Sequence, residues 1–235
     1  MRDKIVRWAK PYLRHIATGL SPTSTAMEGV YQTLFMRDLA RIGEVDDYYP
    51  VGSAANYSLL YAILRVALEL KPPRVLDIGA GQTSILWSRL LKRGYVGAVV
   101  TLEHDPIWGA AIGPQLEHEL LLSPLREEII HGRQTRTYDW QAVREKGPFN
   151  VISCDGPLGT PRCSRLGVLR LVDESLPADF VVIMDDAERD GEKDTIKILK
   201  ADLDRMGRRY RITYINALKR QAILAGGAYE RAAHY

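Results

Sequence analysis

Two glycines and an acid form the stretch of this chain best suited to hold a ligand. Asp77 lies in a short apolar run, and Gly79 and Gly81 follow it, one residue apart, before a segment with helical character. Glycine lacks a Cβ and tolerates positive φ, so a ligand can lie directly against the backbone of such a turn. The N–H groups that begin the following helix would point at the same ligand. The pattern therefore predicts a ligand-binding turn between a strand and a helix.

The spacing of the glycines bears on which ligand binds. A dinucleotide-binding turn has the pattern Gly-x-Gly-x-x-Gly, and its third glycine would fall where this chain has Ser84. The match to the turn of a nicotinamide-dependent oxidoreductase is therefore incomplete. That function stays open as an alternative, and so does a plain strand–helix turn that binds no ligand.

A second group of acids follows two later apolar runs. Asp155 comes after the run 149–154, and Asp185 and Asp186 come after the run 180–184. The carboxyl ends of neighbouring parallel strands meet at one edge of a sheet, so we expect the three carboxylates in one pocket. Crowded carboxylates repel one another unless a cation neutralises them or some take up protons. Oxygen ligands of this kind suit Mg²⁺, whereas the alternative is that the acids cap helices or contact a cofactor.

A parallel sheet would bring these residues together, and the hydrophobic pattern predicts one. From position 74 onward, mostly continuous apolar runs alternate with helical segments, which is typical of a parallel sheet covered on both faces. The last two runs are joined by too short a linker for a crossover helix, so we expect an antiparallel hairpin. The predicted strands are 75–78, 96–102, 128–130, 149–154, 180–184, 210–215 and 221–224. The predicted helices between them are 83–93, 108–121, 141–145, 165–173 and 192–206.

The predicted fold class is thus α/β, a doubly wound Rossmann-like sheet of seven mostly parallel strands with the last strand antiparallel. Before the sheet, residues 1–23 hold a short amphipathic segment, and further helices are predicted at about 24–42 and at 53–70. We therefore divide the chain into an N-terminal helical annex over residues 1–73 and a ligand-binding domain over residues 74–235. We expect the annex either to act as a lid on the pocket or simply to pack its tyrosines, Tyr48, Tyr49 and Tyr57, against the domain.

Composition narrows the class of protein. Hydrophobic residues at 46% and charged residues at 26% describe an ordinary globular protein, and a net charge of +3 with scattered basic residues disfavours a nucleic-acid partner. No apolar run approaches the roughly 20 residues of a membrane span. Cys154 and Cys163 are too few for a disulfide scaffold, and no continuous apolar core follows Arg2, Lys4 and Arg7 as in a signal peptide. We expect a cytoplasmic protein without a membrane partner, which could form a homodimer.

The stretch 74–84 resembles motif I of the class I S-adenosylmethionine-dependent methyltransferases, with an acid two residues before the first glycine and small polar residues after the second. The resemblance covers about residues 74–225 and implies that S-adenosylmethionine (SAM) is the cofactor. Glu103 follows the second glycine by about 20 residues, the spacing at which a carboxylate can accept ribose hydroxyls. The implied cofactor-binding residues are Asp77, Gly79, Ala80, Gly81, Gln82, Thr83, Ser84, Glu103, His104, which would flank the adenine, and Asp155.

The acids of the fourth and fifth strands resemble those of the metal-dependent O-methyltransferases of the catechol and macrocin type. This resemblance implies that Asp155, Asp185 and Asp186 are metal ligands, that Asp155 and Asp185 are catalytic, and that Mg²⁺ is a second cofactor. It further implies O-methylation of a small hydroxylated molecule. Leu158 stands where the catechol enzymes have a lysine base, so either the metal acidifies the hydroxyl or another base acts. The candidate bases are Arg162, Arg165, Glu188 and His131.

The sequence also bears on N-methylation and on alternative functions of the protein. The Asn/Asp-Pro-Pro-Tyr motif of N-methyltransferases is absent at the end of the fourth strand, where 155–158 reads Asp-Gly-Pro-Leu, so base methylation is disfavoured. Besides the oxidoreductase, a non-catalytic or RNA-directed protein that keeps the fold and uses its basic surface stays open as an alternative.

Overall fold

The structure is a computed structural model that describes residues 22–50, 52, 54–172 and 176–234. The amphipathic segment predicted near the N-terminus lies outside these residues. The first helix, α1, spans Pro22–Arg41, and the second, α2, spans Tyr57–Leu70. Most residues of α2 are buried, because apolar residues occur on nearly all of its faces. Among the described residues, no helix is long and apolar enough to cross a membrane.

Nine strands and four further α-helices follow in the described part of the chain. The strands are β1 (Arg74–Ile78), β2 (Ala98–Glu103), β3 (Glu119–Leu122), β4 (Arg126–Ile130), β5 (Arg133–Thr137), β6 (Val151–Cys154), β7 (Phe180–Met184), β8 (Tyr210–Asn216) and β9 (Arg220–Gly226). The helices are α3 (Gln82–Lys92), α4 (Pro106–Ile112), α5 (Trp140–Lys146) and α6 (Asp190–Arg205). Short 3₁₀ helices occupy Gly113–Gln115, Leu166–Leu171 and Gly227–Ala233.

Seven of the strands form one sheet in the order β3-β2-β1-β6-β7-β9-β8. Strands β3, β2, β1, β6 and β7 are parallel to one another. The last strand, β9, lies between β7 and β8 and is antiparallel to both. The predicted fold class is therefore confirmed, including the hairpin at the end of the sheet and the reversed last strand.

The prediction was wrong about the third strand of the sheet. The predicted strand 128–130 belongs instead to the separate antiparallel hairpin β4–β5, on which Ile129 is 69% exposed. The sheet edge is formed by β3, inside the segment predicted as the helix 108–121, because that helix ends at Ile112 before a Gly-Pro pair. The three consecutive leucines of β3, at positions 120–122, form an apolar run too short to distinguish a strand from the end of a helix by periodicity. The predicted helix 165–173 is a 3₁₀ helix.

The sheet is covered by hydrophobic residues on both faces. On one face, residues of α1, α2 and α3 pack with alternate strand residues such as Val75, Val151 and Val181. On the other face, Leu76, Ile152 and their neighbours pack against α5, α6 and the second 3₁₀ helix. The N-terminal helices therefore share a core with the sheet and are held close to the strand ends.

Candidate functional site

The turns after β1 and β6 contact each other at the carboxyl edge of the sheet. Gly79 has φ +97°, and a Cβ there would lie 2.9 Å from the nitrogen and 3.0 Å from the Cα of Gly156. A Cβ on Gly156 would in turn lie 2.7 Å from the Cα of Gly79. The two backbones therefore meet at a distance that no side chain allows. This contact joins the predicted cofactor turn to the strand end that carries Asp155.

Gly81 differs from Gly79 because the protein itself does not need it to be glycine. Its φ of 171° is extended, and a Cβ there would have no neighbour within 4 Å among the described residues. The surface above Gly81 is consequently open, as a backbone surface that receives a ligand must be.

The carboxylate of Asp77 lies beneath this turn. The side chain is 1% exposed, and it accepts hydrogen bonds from the hydroxyls of Ser84 at 2.5 Å, Thr83 at 3.2 Å and Ser153 at 2.7 Å. Ser84 Oγ also accepts the N–H of Gly81 at 3.0 Å. The side chains of Asp77, Thr83 and Ser84, all predicted to bind the cofactor, are thus turned inward and hold the turn in shape, because a buried carboxylate requires such donors.

Burial also makes the stability of the protein depend on pH through Asp77. Burial raises the pKa of this carboxyl from 3.8 to about 6, although the hydroxyl donors oppose the shift. Between these values the folded protein keeps a proton that the unfolded chain has released, so the free energy of unfolding should fall as the pH rises through this window. Asp77→Asn should remove this part of the dependence, up to about 3 kcal/mol. Denaturant unfolding of both proteins from acid to neutral pH measures it, and parallel curves would contradict the assignment.

Glu103 ends β2 with its carboxylate at the glycine turn. The side chain is buried, Oε2 accepts the N–H of Ala80 at 2.9 Å, and Oε1 accepts those of His104 at 2.6 Å and Asp105 at 2.8 Å. Each carboxylate oxygen can accept two hydrogen bonds, so Oε2 retains capacity for another donor. The structure therefore brings Glu103 to the Gly79–Gly81 bend, where a ribose acid must lie.

Aromatic side chains surround the turn on the β2 side. The indole N–H of Trp108 donates to the carbonyl of Ala80 at 2.7 Å while 49% of the residue stays exposed. The rings of His104 and Tyr138 meet edge to face, with centroids 5.9 Å apart. The hydroxyl of Tyr138 is buried and has no hydrogen-bond partner among the described residues. Sequence reasoning missed Trp108 and Tyr138, because neither belongs to a motif and only the fold brings them to the turn.

The loop between α1 and α2 reaches the same turn from the other side. Tyr49 N–H donates to Gln82 Oε1 at 2.6 Å, and Gln82 Nε2 donates to the carbonyl of Tyr49. Arg89 of α3 pairs with Asp47 at 2.7 Å. The ring of Tyr49 itself is 76% exposed. The annex thus borders the turn, and its action as a lid stays a prediction.

The structure brings the three acids of β6 and β7 together. One carboxylate oxygen from each of Asp155, Asp185 and Asp186 lies within 4.8 Å of the others, and we call these residues the acid cluster. Asp185 and Asp186 are buried, whereas the side chain of Asp155 is 21% exposed. Asp155 is therefore the member of the cluster that a ligand can reach.

Protein cations pair with every member of the acid cluster. Arg165 Nη2 lies 3.2 Å from Asp155 Oδ1 and 2.9 Å from Asp186 Oδ2. Lys219 Nζ lies 3.3 Å from Asp185 Oδ2, and this carboxylate raises the lysine's pKa although burial opposes the charge. Arg189 pairs with Asp186 at 2.8 Å. The three carboxylates of the cluster, together with the buried Glu192 at 3.7 Å from Arg165 Nε, thus face three positive side chains.

This arrangement does not fit the predicted magnesium ion. Four of the six carboxylate oxygens of the cluster accept hydrogen bonds from nitrogen, including both oxygens of Asp185, which bond to Lys219 and Gln221. A divalent ion bridging Asp155 and Asp186 would lie beside the buried guanidinium of Arg165 and be repelled by it. The metal-ligand prediction for the cluster is therefore not supported. The fully buried Asp185 also cannot contact a substrate as a catalytic residue would.

The fold separates the four candidate bases. His131 lies on the β4–β5 hairpin, with Nε2 2.9 Å from an acid of α6, and Arg162 pairs on the surface with another acid of that helix. Glu188 accepts the N–H of Arg220 at 2.8 Å, and burial raises its pKa. Of the four, Arg165 contacts the acid cluster directly, as a buried cation rather than as a base.

Comparison with known proteins identifies the fold. No protein-family model and no curated protein matches the chain. An S-adenosylhomocysteine (SAH)-bound methyltransferase from Podospora anserina superposes with a TM-score of 0.53 at 13% identity, covering 83% of this chain and 88% of that one. A precorrin-6y C5,15-methyltransferase from Geobacter metallireducens gives 0.51 at 16% identity, with coverages of 78% and 96%. An O-methyltransferase from Bacillus cereus in complex with SAH gives 0.51 at 15% identity, with coverages of 87% and 99%. The chain has the fold of the class I S-adenosylmethionine-dependent methyltransferases.

Proposed function

We propose that this protein transfers a methyl group from SAM to a hydroxyl oxygen of a small molecule. The observation that carries the proposal is the position of Glu103, whose carboxylate accepts the Ala80 N–H inside the glycine turn, next to the open surface at Gly81. A carboxylate there is suited to ribose hydroxyls, and bare backbone beside it can receive the remainder of the cofactor. The SAH complexes of two proteins with the same fold add support.

The residues of the site can supply binding, orientation and shielding. SAM, when bound, supplies a methyl group that a nucleophilic oxygen can displace directly from sulfur. Glu103 would hold the ribose, while Asp155, the exposed acid of the cluster, would accept a hydrogen bond from the cofactor's ammonium group or from the acceptor hydroxyl. Such a displacement requires alignment above all, and orientation alone can contribute effective molarities of about 10⁵ M or more.

Exposed apolar side chains border the same edge of the sheet. Leu158 is 84% exposed and lies two residues after Gly156, and Ile107 is 82% exposed at the start of α4. Together with Trp108 and Tyr49 they would give the acceptor an apolar rim. We therefore infer an acceptor that has an apolar body and carries the hydroxyl. Support for oxygen as the methylated atom comes from the missing N-methyltransferase motif and from the similar Bacillus cereus O-methyltransferase.

Ser84 favours SAM over a dinucleotide. It stands where the dinucleotide turn has its third glycine, it is fully buried, and its hydroxyl is bonded to Asp77. In a dinucleotide-binding turn, the third glycine allows the helix and the strand to pack closely beside the pyrophosphate. The Gly79–Gly81 turn of this protein has Ser84 at that position instead.

Binding of SAH is the direct test of the proposed function. We expect isothermal titration calorimetry to show one SAH site per chain with a dissociation constant of about 1–100 μM, about −8 to −5.5 kcal/mol. NADH serves as the comparison ligand and should not bind. Absence of SAH binding at millimolar ligand would reject the proposal, and tight NADH binding would restore the oxidoreductase alternative.

A further inference from the structure

We propose that Arg165 and Lys219 take the place of a divalent metal ion at the acid cluster, so that the site works with cations built into the chain. The inference rests on the proposed function for the role of the cluster, whereas its test measures cation binding by itself. It predicts that the wild-type protein has no metal site at these acids, and that removing a cation creates one.

The guanidinium of Arg165 occupies the centre of the cluster. Besides its contacts to Asp155 and Asp186, it donates through Nη1 to the carbonyl of Asp185 at 3.1 Å and through Nε to the carbonyl of Pro157 at 3.2 Å. The side chain is 3% exposed. A planar guanidinium with this many partners is fixed in place and presents its charge to two carboxylates at once, as a bridging metal ion would.

Lys219 provides the second cation from the opposite side. Its Nζ contacts Asp185 Oδ2 and also donates to the carbonyl of Ala54 at 3.2 Å. The position of Lys219 in the chain, between β8 and β9, brings it to the end of β7 because β9 lies beside β7 in the sheet. The lysine is therefore bound both to the acid cluster and to the annex.

A buried polar network fixes Asp185 to the annex as well. Gln221 Nε2 donates to Asp185 Oδ1 at 2.7 Å, and Gln221 Oε1 accepts the hydroxyl of Ser58 at 2.7 Å. Asn56 Nδ2 donates to Glu28 Oε2 of α1 at 2.8 Å and to Ser58 Oγ at 2.8 Å. All of these side chains are buried. Buried networks with satisfied partners are rigid, so the donors that hold Asp185 are not free to make way for an ion.

This arrangement leaves Asp155 as the working acid of the cluster. Its Oδ1 is held by Arg165, and its side chain is the exposed one among the three. Arg165 therefore holds one oxygen of a single, partly exposed carboxylate, one residue before Gly156. Arg165 and Lys219 are positioning residues in this scheme, and Asp155 is the group that meets the ligand.

Manganese binding by the full-length protein tests the inference. Mn²⁺ is a divalent probe for oxygen sites, and its electron paramagnetic resonance signal is lost on binding. We expect no Mn²⁺ binding by the wild type. Arg165→Gln leaves two carboxylates without their shared cation and should bind Mn²⁺ at least about tenfold more tightly than the wild type. Arg162→Gln is the matched control, because Arg162 pairs with Asp194 on the surface and its loss should create no site.

The possible results of these experiments distinguish a failure of this inference from a failure of the proposed function. Wild-type binding of Mn²⁺ that Asp155→Asn abolishes would overturn the inference, and so would a folded Arg165→Gln protein with no gain in affinity. If Arg165→Gln does not fold, the Mn²⁺ affinity of Lys219→Met is compared with that of the wild type instead. This substitution removes the cation beside Asp185, and the same gain in Mn²⁺ affinity is expected. SAH titration with and without excess EDTA reports on the proposed function separately. SAH binding in EDTA agrees with both claims, and SAH binding that EDTA abolishes would overturn the inference. Absence of SAH binding under both conditions would reject only the methyltransferase.

Discussion

Replacing Glu103 with glutamine should weaken SAH binding by about 10- to 100-fold. The amide oxygen can keep the N–H groups of His104 and Asp105, but the amide nitrogen then faces the Ala80 N–H and cannot accept from a ribose hydroxyl. Loss of the one ribose hydrogen bond that Oε2 can still accept, at about 1.5–3 kcal/mol for a charged acceptor, corresponds to about one to two orders of magnitude in affinity. Calorimetric titration of the variant with SAH measures the change.

Glu117→Gln is the control for this experiment. Glu117 is a surface acid between α4 and β3 that pairs with Lys92, and both side chains are more than half exposed. Exposed pairs contribute little, so SAH affinity and stability should stay as in the wild type. A folded Glu103→Gln protein that binds SAH with unchanged affinity would refute the role of Glu103 as the ribose acid, whatever the control shows.

The two glycines of the turn should respond to alanine in opposite ways. Gly79→Ala forces a Cβ to 2.9 Å from the backbone of Gly156 at a φ of +97°, so we expect a loss of about 2–4 kcal/mol in the free energy of unfolding. In the part of the chain that the structure describes, the Cβ of Gly81→Ala meets no atom within 4 Å, and φ is extended, so stability should change by less than about 0.5 kcal/mol. The methyl group that Gly81→Ala introduces would instead occupy the surface proposed for the ligand, and the affinity for SAH should fall at least about tenfold.

Each variant is thus the control for the other. Denaturant unfolding and SAH titration are run on both proteins, and the expected result is a crossed pattern: one loses stability, and the other loses binding. A Gly81→Ala protein that binds SAH like the wild type would show that the ligand does not approach this backbone. A Gly79→Ala protein of wild-type stability would contradict the tight contact between the two turns.

Much of the architecture could be predicted from the sequence because it rests on local patterns. Continuous apolar runs separated by helical segments predict a parallel sheet, and the short linker before β9 predicts the reversed last strand. The glycine spacing and the acid that follows it placed Glu103 and Gly79 at one end of that sheet. In each case the signal lies within one strand, one turn or one βαβ unit, where periodicity and chain length constrain the geometry.

Other features of the site became visible only in the tertiary structure. The hydroxyls of Thr83 and Ser84 turn inward because Asp77 is buried beneath them, and the sequence could equally have aimed them at a ligand. The leucine run of the edge strand β3 is as compatible with a helix as with a strand, and its pairing with β2 in the sheet decides between them.

The sequence by itself predicts a glycine turn of the SAM-binding type at the carboxyl edge of a seven-stranded sheet, with three carboxylates near it. Only the tertiary structure decided what neutralises those carboxylates. Arg165 comes from the loop after β6, and Lys219 from the final hairpin, which sheet order brings next to β7. Hydrophobic periodicity reports which faces of an element are buried, but charge pairing depends on which loops meet in space. An acid cluster in a sequence therefore predicts a need for positive charge, and the fold decides that arginine and lysine meet it.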